Sequence, residues 1–402
     1  MALIVQKFGG SSVADAQRIF HVAEIITKTY QQGNSVCVVL SAQGDTTDDL
    51  IEKAREINPD ASRREMDMLL SCGEQMSIAL MAMAIEKLGF PVVSLCAWQI
   101  GMATDSNHSA AHITKVDCER VKEELDRKRI VLVAGFQGVD RTGDITTLGR
   151  GGSDTTAVAL AVALQADLCQ IYTDVDGVYT SDPRIVPEAR KLSEITYDEM
   201  LELASMGAQV LHNRSVELAK SYGIQLEVLS SFTGNPGTIV KEVVKKVEKT
   251  YITGVAQDKK IARFALVGLE DVPGVAYKLF NLLAKGKINV DMIIQSLGHD
   301  ERKDIIFTVA DKDSMACARL LDENKDVLKY DHMDINTGVS KVSIVGAGML
   351  ENAGVAAKMF EALYQAHINI HMISTSEIKV SVLIDKEDSD RAVRVIHNIF
   401  FQ

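Results

Sequence analysis

The run Leu148-Gly-Arg-Gly-Gly-Ser-Asp-Thr-Thr-Ala157 sets a cation, bare backbone and an acid at the start of a long apolar stretch. Residues of these types in this order suit a small anion. A helix N-terminus carries unsatisfied N–H groups and partial positive charge, and a fixed arginine adds to both. Three further segments carry related chemistry. Lys7-Phe-Gly-Gly-Ser-Ser12 puts one cation and two glycines where a strand passes into a helix. Ser41-Ala-Gln-Gly-Asp-Thr-Thr-Asp48 follows a second apolar run with hydroxyls and a glycine. Tyr172-Thr-Asp-Val-Asp-Gly-Val-Tyr-Thr-Ser-Asp-Pro-Arg184 gathers three acids, aromatics and an arginine into thirteen residues. Taken singly, each has an ordinary reading as a βα turn, an N-cap or a turn with solvated charges. Neither a Walker P-loop nor a dinucleotide fingerprint occurs. The Asp-x-Asp-Gly run lacks the distant bidentate glutamate of a calcium loop.

The elements around these turns decide how they combine. Over the first ~240 residues, short β-branched runs alternate with long helical patterns, the signature of a mostly parallel sheet covered by helices. Strands are predicted at 2–6, 36–40, 91–95, 130–134, 168–172 and 225–229. Helices are predicted at 12–31, 46–57, 64–88, 115–128, 153–165 and 196–222, the last with a break. The turns after residues 6, 40 and 149 then gather outside the carboxyl ends of the strands, where parallel sheets bind ligands. With the 172–184 loop beside them they form a candidate nucleotide site, Tyr179 near the base or ribose and Arg184 reaching phosphate.

Composition narrows the alternatives. The chain has 402 residues, 47% hydrophobic and 24% charged, and a formal net charge of −12. That length suits two or three domains, and that charge argues against nucleic acid or an anionic membrane as a main partner. Six cysteines (Cys37, Cys72, Cys96, Cys118, Cys169, Cys317) show no CxxC spacing and read as reduced thiols. The N-terminus lacks a signal-peptide pattern and no apolar run is read as membrane-spanning, so the cytoplasm is the expected address.

A Gly-Asn-Pro-Gly turn at 234–237 and the charge-dense run 241–250 mark the expected domain boundary. Residues 1–240 form the expected catalytic domain and 241–250 a linker. Gly274 to Ser296 then returns as Gly354 to Ser376, eighty residues later, with roughly half the positions identical. Each copy reads as a small βαββαβ unit, at 251–340 and 341–402, between which strands could be exchanged. The pair resembles the tandem ACT domains that bind free amino acids; duplication that only stabilises a dimer is the alternative. Asn289 and Asn369 follow helices at matching places, beside short loops able to bond an amino acid's charged ends.

Lys7-Phe-Gly-Gly-Ser-Ser12, Ser41 to Thr47, Gly73-Glu74 in a Met-rich helix, Gly135-Phe-Gln-Gly138, Gly149 to Asp154 and Thr173 to Arg184, followed by two ACT-like repeats, resemble the monofunctional aspartate kinases over essentially the whole chain. The catalytic half is similar to the wider amino acid kinase fold, a three-layer αβα domain with a mainly parallel sheet, and the repeats to ferredoxin-like ACT units. The resemblance implies transfer of the ATP γ-phosphoryl group, with Mg2+ on the phosphates and no protein metal ligand, to the side chain of L-aspartate. The product is 4-phospho-L-aspartate, the first intermediate toward lysine, threonine and methionine. A carboxylate is already an anionic nucleophile at neutral pH, so positioning and charge cancellation are needed rather than a general base.

By the same resemblance, Lys7 stabilises the transferred group and Asp154 orients it. Arg150 pairs with the aspartate α-carboxylate, Glu74 accepts the ammonium, and Thr47, Gly151 and Ser153 complete that pocket. Phe8, Gly9, Gly10, Ser41, Thr173, Asp174, Tyr179 and Arg184 join Lys7 around ATP. Effector contacts are implied at Asp271, Ala276, Asn289, Val290, Asp291 and Gln295, and at Val355, Ala356, Asn369, Ile370, Thr375 and Ser376. Lysine, threonine or both are the implied effectors, with pairing of the repeats between subunits of a homodimer or larger homo-oligomer. One departure stands out: where the family often carries a lysine in K-V-L-H, this chain has Gln209-Val-Leu-His212. Lys191 or Arg214 could replace its charge. Kinases of glutamate or N-acetylglutamate, and a non-catalytic amino-acid sensor, are the rival functions.

Overall fold

The computed structural model describes residues 2–205, 210–244, 251–297, 302–349, 352 and 354–402. The chain divides into two compact units, one of Met1–Tyr179 with Arg190–Lys246, the other of Thr180–Ala189 with Val247–Gln402.

The first unit runs β1 (Leu3–Phe8), α1 (Ala16–Gln31), β2 (Ser35–Leu40), α2 (Thr46–Ile57), α3 (Arg63–Lys87), β3 (Val92–Leu95), β4 (Met102–Thr104), β5 (Ile113–Val116), α4 (Glu119–Asp126), β6 (Ile130–Ala134), β7 (Gln137–Val139), β8 (Ile145–Thr147), α5 (Gly152–Leu164), β9 (Leu168–Thr173), β10 (Glu194–Thr196), α6 (Tyr197–Ser205), α7 (Asn213–Tyr222), β11 (Leu226–Ser230) and β12 (Thr238–Lys241). Its eight-stranded sheet has the order β10-β12-β11-β9-β1-β2-β6-β3 and is parallel except where β11 meets β12. The pleat sends alternate residues to opposite faces. Phe8, Val36, Val38, Leu40, Ile130 and Leu132 pack against Ile19, Val22 and Ile26 of α1 and Ile78, Met81 and Ile85 of α3. Helices α4 and α5 cover the other face of the central strands. Both faces being buried, the central strands read in the sequence as unbroken apolar runs.

Several expectations change. Asp15 caps α1 by accepting the Arg18 N–H, so the helix starts at Ala16 and a 3-10 turn occupies Gly10–Val13, not one helix over 12–31. Residues 113–116 are strand, and α4 begins only at Glu119 rather than at 115. A second sheet of order β5-β4-β7-β8 has no counterpart in the sequence reading. Helix α3 is long and apolar enough to cross a membrane, contrary to the sequence reading, but its Ile78, Met81, Ala84 and Ile85 are buried in the core. Segment 180–189, expected in the catalytic domain, belongs to the second unit. Val186 is buried among Ile252, Val255 and Ile344, and the Thr180 carbonyl accepts the Val255 N–H at 2.8 Å. Of the expected linker, residues 245–250 lie outside the described residues.

The second unit contains β13 (Gly254–Asp258), β14 (Ile261–Glu270), α8 (Val275–Lys285), β15 (Val290–Leu297), β16 (Arg302–Ala310), α9 (Ser314–Glu323), α10 (Lys325–Leu328), β17 (His332–Asn336), β18 (Val339–Val345), α11 (Val355–Gln365), β19 (Met372–Thr375), β20 (Lys379–Asp385) and α12 (Ser389–Phe401). Two four-stranded sheets have the orders β15-β16-β14-β17 and β13-β18-β20-β19. The second repeat therefore lacks a final strand of its own, and β13, from ahead of the first repeat, pairs antiparallel with β18 in its place. Both repeat helices start after a left-handed glycine, Gly274 (φ 96°) and Gly354 (φ 98°). Ile261, Met292, Val339, Met372 and Leu383 form a core shared by the two repeats.

Candidate active site

Register brings the loops together. Lys7 pairs with Val39 on one side and Ile171 on the other, so β1, β2 and β9 end side by side. Beyond those ends the Ser41 N–H donates to the Phe8 carbonyl at 3.1 Å, and the Gly44 N–H to the Gly10 carbonyl at 3.0 Å. The Gly135 N–H bonds the Leu40 carbonyl at 3.0 Å, which brings the β6 turn to the same edge. Lys7 Nζ lies 2.7 Å from Asp154 Oδ1 in the first turn of α5, with both side chains only 12% exposed. The Lys7 ammonium also borders the Gly9 turn: a Cβ on Gly9 would stand 3.6 Å from Nζ.

Glu74 approaches from α3. A Cβ on Gly73 would lie 2.7 Å from the Ala42 Cβ, so only a bare backbone lets α3 come this close to the β2 turn. The next residue, Glu74, is 4% exposed; its Oε1 accepts the Ala42 N–H at 3.1 Å, while Oε2 is buried with no hydrogen-bond partner among the described residues. Burial raises its carboxyl pKa from 4.5 to about 7, against the lowering effect of backbone N–H donors. An oxygen left this way needs a cationic or donor ligand.

The turn at Leu148–Ser153 is held from two sides. Asp67, fully buried on α3 and two turns before Glu74, accepts from the Thr147 N–H at 3.0 Å and hydroxyl at 2.7 Å, and from the N–H and hydroxyl of Ser109. Arg214 of α7 donates to the carbonyls of Leu148 at 2.8 Å and Ala111 at 3.1 Å. Between them Arg150 is exposed and has no ion-pair partner among the described residues. Gly151 is left-handed (φ 68°) and caps α5. Ser153 is buried, its hydroxyl 2.6 Å from where a Cβ on Gly135 would sit. Phe136, in the same turn, holds φ 69°, a conformation rare for an aromatic residue. Thr47 is half-buried in the first turn of α2.

The expected nucleotide residues divide. Phe8 is core, stacked on Tyr172 with centroids 4.4 Å apart, so it offers backbone only. Gly9, Gly10 and Ser41 line the edge above β1 and β2. Thr173 ends β9 and donates to exposed Asp174 at 3.0 Å. The Tyr179 hydroxyl donates to Asp176 at 2.7 Å, and Lys191 reaches the same carboxylate at 3.2 Å. Arg184 lies in the segment grouped with the second unit and is exposed, with its guanidinium held by both oxygens of Asp182. Gln209 lies outside the described residues. Of its suggested substitutes, Lys191 is committed to Asp176 and Pro236, and Arg214 to two carbonyls.

In the second unit, Asp271 pairs with buried Lys303 at 2.8 Å and Asp291 with buried Lys341. Asn289, Gln295, Asn369, Thr375 and Ser376 are exposed, while Ala276, Val290, Ala356 and Ile370 are half-buried. Val355 is buried. His108, Asp140 and Asp144 place possible metal-ligand atoms within 4.8 Å of one another. Ser106, Thr142 and the Asp144 N–H already occupy Asp140, and Arg64 occupies Asp144.

Asp67, Phe136 and His212 were not singled out from the sequence as site residues. Asp67 carried one signal, an acid two helical turns from Glu74; the left-handed Phe136 carried none.

Residues 2–230 match the model of the amino acid kinase family, and 264–324 and 342–400 match that of the ACT domain. The chain is 50% identical over 405 residues to the aspartokinase of Mycolicibacterium smegmatis, covering all of this chain and 96% of that one. It is 48% identical over 400 residues to the aspartokinase of Bacillus sp. (strain MGA3), covering 100% and 97%. Among solved structures, E. coli aspartokinase III in complex with aspartate and ADP (R-state) aligns with TM-score 0.85 at 26% identity, covering 100% of each chain. The same enzyme with lysine and aspartate (T-state) aligns at 0.78. With matches running the length of both units, the chain belongs to the amino acid kinase family, in its aspartokinase branch.

Proposed function

We propose that this chain transfers the γ-phosphoryl group of ATP to the side-chain carboxylate of L-aspartate. The observation that carries the reading is the Lys7–Asp154 ion pair at the strand ends, with the unpartnered Glu74 oxygen on the adjoining helix. Lys7 neutralises charge on the transferred group, and Asp154 fixes its ammonium. Glu74 Oε2 takes the substrate ammonium, Arg150 forks onto the α-carboxylate, and Thr47, Gly151 and Ser153 close the pocket. The side-chain carboxylate is then presented in line with the phosphorus, so positioning and charge cancellation supply the catalysis. The turn at Phe8–Gly10, Ser41, Thr173, Asp174 and Tyr179 border the nucleotide.

Mg2+, which ATP chemistry of this kind uses, cancels phosphate charge when bound. Asp154 is committed to Lys7, so the ion is read as held by phosphate oxygens and water. Lysine, threonine or both act at the second unit through different affinity for two enzyme states, in a homo-oligomer of the cytoplasm. ADP release is measured with aspartate, glutamate and N-acetylglutamate; turnover with aspartate is expected, and turnover with glutamate alone would refute the reading. Lys7→Ala is expected to abolish turnover while calorimetric binding of the effector persists.

A further inference from the structure

A second unpartnered polar atom borders the acceptor turn. His212 is the N-cap residue of α7, in extended conformation (φ −84°, ψ 134°), and its carbonyl accepts the N–H of Ser215 at 3.0 Å. Its ring fills the space beside Gly151: a Cβ there would lie 2.2 Å from His212 Cγ and 2.5 Å from Cδ2. Two residues on, Arg214 grips the Leu148 carbonyl, so the start of α7 holds this turn at two points. His212 Nδ1 is buried and has no hydrogen-bond partner among the described residues. Burial lowers its pKa, as does Arg214, while Asp154 and Glu217 act the other way. The ring is therefore neutral at pH 7, with one N–H to donate.

We propose that His212 is an acceptor-contacting residue: its ring seats the Gly151 turn, and its Nδ1–H donates to a carboxylate oxygen of the amino acid bound at Arg150–Ser153. The inference rests on the function proposed above. It gives the orphaned nitrogen a partner that arrives with the substrate, as Glu74 Oε2 receives one. It also explains why glycine stands at 151, since any side chain there displaces the ring.

The test compares His212→Phe, which keeps the ring plane and loses the nitrogen, with His212→Asn, whose amide reaches the Nδ1 position. Loss of one hydrogen bond to a charged group predicts that KM for aspartate rises about ten-fold or more in His212→Phe, with KM for ATP changed by less than about two-fold. His212→Asn is expected to restore most of that loss. Because His212→Phe could misfold, the Nδ1 resonance of nitrogen-labelled wild-type protein is followed in parallel. It shifts on saturation with aspartate and not with ATP. An unchanged aspartate KM in folded His212→Phe, or an Nδ1 resonance indifferent to aspartate, overturns the proposal. No aspartate turnover by the wild type overturns the proposed function instead; glutamate then takes the place of aspartate in the resonance measurement, and an unmoved Nδ1 overturns the His212 contact too.

Discussion

Replacing Glu74 with glutamine should make the ligand-free enzyme more stable and a worse binder of its acceptor. Glu74 is 4% exposed, with one oxygen bonded to the Ala42 N–H and the other unpartnered. Burial raises its carboxyl pKa from 4.5 to about 7. The native state thus holds this proton more tightly than the unfolded chain. The stability this contributes is fully present below about pH 4.5 and is lost as pH rises through about 7. A rise of that size corresponds to roughly 3 kcal/mol. Glutamine has the same shape and never ionises, so Glu74→Gln should exceed wild type by about 1–3 kcal/mol at pH 8 and match it near pH 5. Trp98, the single tryptophan, lies in the first unit, so its fluorescence in denaturant reports on that unit's unfolding. Kinetics supply the second arm. In the proposed pocket the substrate ammonium pairs with ionised Glu74, so the wild-type aspartate KM should rise as pH falls below about 7. In Glu74→Gln it should be raised at least about ten-fold at pH 8, with that pH dependence gone. A variant less stable than wild type at pH 8, or one that keeps the wild-type profile of KM against pH, refutes this reasoning.

Asp67→Asn places an amide donor against the N–H and hydroxyl donors of Ser109 and Thr147; a loss of about 2–4 kcal/mol in denaturant unfolding is expected, with aspartate KM raised and ATP KM little changed. Gly151→Ala combines left-handed strain of about 1–2 kcal/mol with a clash against His212, and steady-state assays should show aspartate turnover falling more than about ten-fold while nucleotide binding persists.

The sequence was most readable where burial repeats. Strands β1, β2, β6, β9 and β11 fall within two residues of their expected limits, because a strand covered on both faces is a continuous apolar run between turn residues. The small sheet escaped because β4, β7 and β8 have three residues each, too few for a period of two to register. That segment 180–189 packs with the second unit was not legible because its attachment depends on Val186 and the Thr180 carbonyl meeting residues some seventy positions away or more, which local pattern does not encode. For the same reason the pairing of β13 with β18 was visible only as a possibility. Within the site, residue types marked Lys7, Arg150 and Asp154, while Glu74 came from the family resemblance alone. What they did not reveal was environment: that Glu74 keeps an unpartnered oxygen, that Asp67 ties down Thr147, or that His212 occupies the side-chain space of Gly151.

Phosphoryl transfer to a carboxylate yields an acyl phosphate, which hydroxylamine intercepts as a hydroxamate. Purified enzyme is given ATP, Mg2+ and hydroxylamine with either L-aspartate or L-glutamate, and the products are resolved by mass spectrometry. The aspartyl hydroxamate is expected, formed in step with ADP and absent with Lys7→Ala; ADP release without hydroxamate, or the glutamyl product alone, would contradict phosphoryl transfer to the aspartate side chain.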